Sequence, residues 1–165
     1  MPGRIGTFGA LMLRVDRDIL SDAKITAGHI TEAICNRRMF SIGSVEIGSY
    51  RITKARLFWD TGSKQTFVYV PSFDVIDIAP IGTFPVSGIG AEVKARAYAS
   101  RIALSENLSF DNLIVGVMIG NDTADDDSYE SADVIIGMDV IQNGVLIVDG
   151  PGRTFTFEIN KQSGF

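Results

Sequence analysis

Asp60-Thr61-Gly62-Ser63 stands directly behind the apolar run Ala55-Arg56-Leu57-Phe58-Trp59 and is the segment of this chain best equipped for chemistry. A carboxylate at the end of a buried strand is held rigidly, and the small residue, glycine and hydroxyl after it complete a catalytic arrangement. Gly62 can take backbone angles closed to other residues and lets a second backbone or a substrate approach closely. Thr61 and Ser63 supply hydroxyls able to hydrogen-bond a carboxylate and orient it. Taken alone, Asp60 also reads as an ordinary turn aspartate, since Asp and Gly are common in turns.

The other chemistry-bearing residues point to little. His29 is the only histidine, with no cysteine or carboxylate at ligand spacing, so no metal site is expected. Cys35, the only cysteine, has no histidine partner and reads as a buried or half-buried side chain rather than a nucleophile. Asp122, Asp125, Asp126, Asp127 and Glu130 crowd residues 121–130 without the alternating oxygens and placed glycine of a calcium loop, so a solvated loop is expected there. Asp139 reads as a residue capping or flanking a short helix, and Asp149 as part of the turn Asp149-Gly150-Pro151-Gly152.

The segments around Asp60 read mostly as strands. Residues 41–47 alternate, Gly48-Ser49-Tyr50 turns, and residues 51–59 lead into the aspartate. Residues 66–70 are β-branched and aromatic, and Pro71 ends them. Residues 92–104 place Val93, Ala95, Ala97 and Ala99 on one face and Glu92, Lys94, Arg96 and Tyr98 on the other. Residues 113–119 suit a buried strand, and several short strands with Gly or Pro turns imply a sandwich or barrel. Before residue 41, a strand near 9–15 is expected, and residues 21–39 read as a weak helix or a loop. Residues 1–40 are the least determined part of the chain and read as an N-terminal extension: an arm, a propeptide or an added strand.

At 165 residues with 45% hydrophobic content and 17 glycines, the chain suits one turn-rich β domain rather than a disordered one. A net charge of -5 argues against nucleic acid as the main partner. No apolar stretch reaches the roughly 18–20 residues needed to span a bilayer, so no membrane partner is expected. Residues 5–13 are apolar but are closed off by Arg14, Asp16, Arg17 and Asp18 without a small-residue cleavage site, which argues against a secretory signal. One cysteine forms no internal disulfide, so a cytoplasmic setting is the default.

A second element stands far downstream of the first, in Asp133-Val134-Ile135-Ile136-Gly137-Met138-Asp139-Val140-Ile141. With Asp60-Thr61-Gly62-Ser63 and the glycine-bearing segment Val86-Ser87-Gly88-Ile89-Gly90-Ala91-Glu92-Val93 between them, it resembles the retropepsin-like aspartic proteases, single-domain relatives of pepsin. The resemblance spans residues 41–159, and the retropepsin-like domain is set at 41–165. Departures are Ser63, where many members have alanine, Lys64 just past the site, and Met138, where retroviral members carry arginine.

The resemblance implies a mostly β acid-protease barrel with one short helix near the C-terminus, active as a homodimer. It implies Asp60 as the catalytic residue, supported by Thr61, Gly62 and Ser63, and a substrate-gripping flap including Gly82, Phe84, Gly88, Ile89 and Gly90. Alone, Gly88-Ile89-Gly90 also reads as a plain hairpin turn, and it lacks the third glycine of a nucleotide loop. Ile136 and Gly137 would pack behind the active-site turn, and 121–130 would be an insertion. The implied activity is hydrolysis of peptide bonds in a peptide or protein substrate by water, with no cofactor and no metal. Ile76, Ile78, Ile81, Phe84 and Val86 near the expected cleft suggest an apolar preference. No second Asp-Thr/Ser-Gly occurs in the chain, so a twofold partner must supply the other aspartate. The alternative is a non-catalytic dimeric β-barrel module for binding or assembly that keeps the fold.

Overall fold

The computed structural model describes residues 23–88, 91–120 and 132–160. The chain there is mostly β. Its strands are β1 (Lys24–Ile25), β2 (Gly28–Cys35), β3 (Arg38–Ile47), β4 (Tyr50–Trp59), β5 (Phe67–Val70) and β6 (Gly82–Gly88). After them come β7 (Ala91–Ala103), β8 (Ser109–Ile119), β9 (Val134–Ile136), a short helix α1 (Met138–Ile141), β10 (Val145–Asp149) and β11 (Thr154–Ile159). A single 3-10 turn spans Phe73–Val75, capped where the Asp74 amide donates to the Ser72 hydroxyl. The strand expected near 9–15, the acidic segment 121–130, and Ile89 and Gly90 lie outside the described residues.

Residues 28–35 form a strand where local sequence suggested a weak helix or a loop. The partner decides it: β2 pairs antiparallel with β11, from Thr154↔Ala33 to Ile159↔Gly28, and β11 lies more than a hundred residues downstream. Asn36 and Arg37, with φ of 51° and 63°, then turn the chain into β3. Cys35 sits at this hairpin end and is exposed, not buried as expected, because the tip projects beyond the core.

The strands run in the order β10-β11-β2-β3-β4-β9-β5-β8-β7-β6, and β3 also pairs with β7 from Ser44↔Ala103 to Glu46↔Arg101. The hydrogen-bonded path therefore returns on itself. β9 enters the gap between β4 and β5, parallel to β4 (Trp59↔Ile136) and antiparallel to β5 (Phe67↔Ile135). Its insertion brings the downstream apolar run beside the strand that carries Asp60.

Alternation along β4 buries Ala55, Leu57 and Trp59. Trp59 packs at 5.0 Å from the Phe157 ring and 5.7 Å from Phe155, which ties the β10–β11 hairpin to the end of β4. Its indole N–H donates to the buried Ser41 hydroxyl at 2.9 Å, so the ring is fixed in direction as well as depth. Val45, Ile47, Val68, Val70, Val115, Val117, Val134 and Ile136 complete the same core. Each such side chain contributes about 1.5–3 kcal/mol on full burial. β7 departs from its simple alternation: Tyr98 is buried along with Ala95 and Ala97, so both faces of the strand are covered at that level, and on the neighbouring β8 the Phe67 ring occupies the space that a side chain at Gly116 would need.

Candidate active site

Asp60 follows Trp59 at the end of β4, and alternation turns it to the face away from the core. Its backbone amide donates to the Ile136 carbonyl at 2.9 Å, so the pairing with β9 extends through the aspartate. The chain then turns back: the Ser63 amide donates to the Asp60 carbonyl at 3.1 Å, and the Gly62 amide donates to Asp60 Oδ1 at 2.9 Å. A carboxylate oxygen that accepts a backbone N–H is held without any side chain having to be ordered.

The means differ in part from expectation. Among the described glycines only Gly48 has a positive φ, so Gly62 uses ordinary backbone angles. What matters at Gly62 is the missing side chain, since a Cβ there would stand 3.2 Å from Asp60 Oδ1. The Ser63 hydroxyl donates to the Gln65 carbonyl at 2.7 Å and braces the loop rather than the carboxylate. Thr61 is exposed beside them.

The loop from Asp60 to β5 is clamped to the β9–α1 junction. Asp139 accepts the Thr66 amide at 2.9 Å on Oδ2 and the Thr66 hydroxyl at 2.7 Å on Oδ1, while its Oδ1 also accepts the Val140 amide at 2.9 Å. The fully buried Thr66 hydroxyl in turn accepts the Gly137 amide at 3.1 Å. The Met138 amide reaches the Ser63 carbonyl at 2.8 Å, and the Asp139 amide reaches that of Lys64 at 3.2 Å. Gly137 is required by contact: a Cβ would meet the Gln65 carbonyl oxygen at 2.3 Å and its carbon at 2.4 Å. Ile136 is fully buried beneath. Sequence reading gave Asp139 only a role at the helix and missed Thr66, because nothing local links positions 73 apart.

Gly82 and Phe84 lie on β6, which pairs with β7 from Gly82↔Ala97 to Gly88↔Ala91 as a long hairpin. Phe84 and Ile76 are buried, whereas Ile78 and Ile81 are exposed on the segment leading into the hairpin. Two contacts fasten that segment: the Arg96 guanidinium lies 3.9 Å from the Phe73 ring centre, and the Ser49 amide donates to Asp77 Oδ1 at 2.8 Å. The Ser49 amide, and next its hydroxyl, hold the Asp77 carboxyl below the usual carboxylate range. Burial pushes the Tyr69 hydroxyl up from its ordinary value, which keeps it protonated. Among the described residues no group of three His, Cys, Asp or Glu is placed to hold a metal ion.

The fold has a counterpart among solved structures. The crystal structure of a retropepsin-like aspartic protease from Rickettsia conorii matches 84% of this chain and 96% of its own length, with a TM-score of 0.52 at 14% identity. The fold is retropepsin-like. Conglutin gamma, a basic 7S globulin from lupine seeds, matches 89% of this chain and 43% of its own length at 10% identity, with a TM-score of 0.36 that carries no weight. No protein-family model and no curated protein matches the sequence.

Proposed function

We propose that the chain is an aspartic endopeptidase that works as a homodimer, with Asp60 of each subunit forming the catalytic pair. The observation that carries this reading is the backbone cradle of Asp60, held by the Gly62 amide and by β9 in a retropepsin-like fold. The closed strand path through β3, β4, β9, β5, β8 and β7 serves as its barrel. Peptide hydrolysis needs one carboxylate to take a proton from water and one carboxylic acid to donate to the carbonyl oxygen. Two like charges brought together share a single proton and so divide that labour. Water's oxygen attacks the carbonyl carbon, a tetrahedral diol forms, and its collapse sends the proton to the departing amine.

Thr61, exposed beside the site, would hydrogen-bond across the twofold axis, and Gly62 and Ser63 would keep the carboxylate turn in shape. The β6–β7 hairpin, with Gly82, Phe84, Gly88, Ile89 and Gly90, would close over an extended peptide and grip its backbone as an added strand does. Residues 41–165 would make the protease domain, with residues 1–40 as an extension whose β2 adds a strand between β11 and β3. The exposed thiol of Cys35 fits a reducing, cytoplasmic setting.

The test is digestion of a denatured-protein mixture at about pH 3–7, the span bracketing carboxylate titration, by wild type and Asp60→Asn. Mass spectrometry should show cleavage that falls at least about a hundredfold in the folded variant. Specific activity should also fall on dilution as the dimer separates. Identical fragments from the folded variant, or none from either protein, would leave the non-catalytic β-barrel module as the reading.

A further inference from the structure

The two strands of the β6–β7 hairpin are anchored unequally at its root. β7 is built into the sheet: it pairs with β8 from Arg96↔Val117 to Ala103↔Ser109, and with β3 from Ser44↔Ala103 to Glu46↔Arg101. β6 pairs with β7 and stands at the end of the strand order. Past Arg96, where the register with β8 stops, residues 84–88 and 91–95 have one another as ladder partners among the described residues. The position of β6 is therefore set from the segment that leads into it. Ile76 sinks into the core there, which leaves the run from 77 to 81 between a fixed point and the hairpin.

That run meets the β3–β4 turn through one charged bond. The Ser49 amide donates to Asp77 Oδ1 at 2.8 Å, in an exposed position. Gly48 makes room for the carboxylate: its φ is 58°, the one positive value among the described glycines, and a Cβ there would run into Asp77 Oδ1 and stand 3.0 Å from Ile78 Cγ2. Residues with side chains rarely adopt this backbone. Four residues after Asp77, the Ile81 amide donates to the Ala97 carbonyl at 2.7 Å and the β6–β7 ladder begins. Both sides of the hairpin thus hang from the β3–β4 hairpin, β7 through a backbone ladder and β6 through a single carboxylate. The ladder is the fixed side, and the carboxylate bond, open to water, is the side that can part.

We propose that Asp77, clasped to the Ser49 amide beside Gly48, is a positioning residue that fixes the root of β6 so that the hairpin closes over a bound peptide in one place. The role rests on the endopeptidase reading and adds to it the residue on which closure depends. Asp77 acts through β6 rather than by touching the substrate.

Hydrogen exchange on the full chain reads the clasp apart from catalysis. Asp77→Ala should raise exchange about tenfold at the amides between residues 81 and 87, the loss expected for one bond to a carboxylate, and leave residues 98–103 of β7 unchanged. Asp77→Asn keeps an oxygen that accepts from Ser49 and should restore most of the protection. On a fluorogenic peptide taken from the sites that wild type cuts, Asp77→Ala should raise KM about fivefold with kcat within about twofold. Thermal melts confirm folding, and Asp77→Ser, whose hydroxyl is too short to reach, carries the test if Asp77→Ala melts early. Unchanged exchange between 81 and 87, or raised exchange with an unchanged KM, overturns the proposal. Raised exchange with no peptide cut by any of the proteins leaves the clasp in place and overturns the endopeptidase reading, and with it the role in binding.

Discussion

Replacing Thr66 by Val isolates the polar clamp behind the Asp60 turn. The two side chains have nearly the same shape, so no cavity opens at this fully buried position, and the change removes one hydroxyl. Two bonds go with it: the 2.7 Å donation to Asp139 Oδ1 and the 3.1 Å acceptance from the Gly137 amide. A hydrogen bond to a carboxylate is worth about 1.5–3 kcal/mol net. Stranding a buried amide costs about 1–3 kcal/mol more. The backbone bond from Thr66 to Asp139 Oδ2 survives, so the penalties add without loss of the loop's remaining tether. The expected destabilisation is about 4 kcal/mol, or roughly 8–16 °C in melting temperature for a chain of this size. Urea unfolding followed by circular dichroism, at one fixed protein concentration, should show a lower midpoint with an unchanged slope. Thr66→Ser keeps the hydroxyl and loses one methyl, so it should cost about 1 kcal/mol. A Thr66→Val protein within about 1 kcal/mol of wild type would refute the clamp as a source of stability.

Gly137→Ala drives a methyl against the backbone of Gln65, which has no rotamer to give way, and should destabilise by about 3 kcal/mol; an unchanged denaturation midpoint would contradict that packing. The Asp77 carboxyl titrates below its ordinary range when folded, so its link to the Ser49 amide is fully present above that range. Protection of the Ser49 amide from hydrogen exchange should therefore fall as pH drops through the lowered value, and Asp77→Asn should remove that dependence. Retained pH dependence in the variant would assign the effect to another group.

Much of the strand pattern was legible in the sequence, because alternation and turn residues act over a few positions. The turn at Gly48 and Ser49, the strand into Asp60, the buried strand through Val115 and Val117, and the hairpin with Asp149 in its turn all follow from local chemistry. Where local signals were weak they failed. β2 exists because β11 pairs with it, Cys35 is exposed because a hairpin tip carries it outward, and Tyr98 is buried because β7 is covered on both faces.

Which carboxylate ends a buried strand, and which glycine-containing run follows it at a distance, can be read from contiguous residues alone. That β9 slides between β4 and β5, that Thr66 and Asp139 share two hydrogen bonds, and that Phe67 lies on Gly116 emerge in the folded chain and nowhere earlier. Those are contacts between segments far apart in the chain. Their free energy exists only once the sheet has brought the partners within a few ångströms.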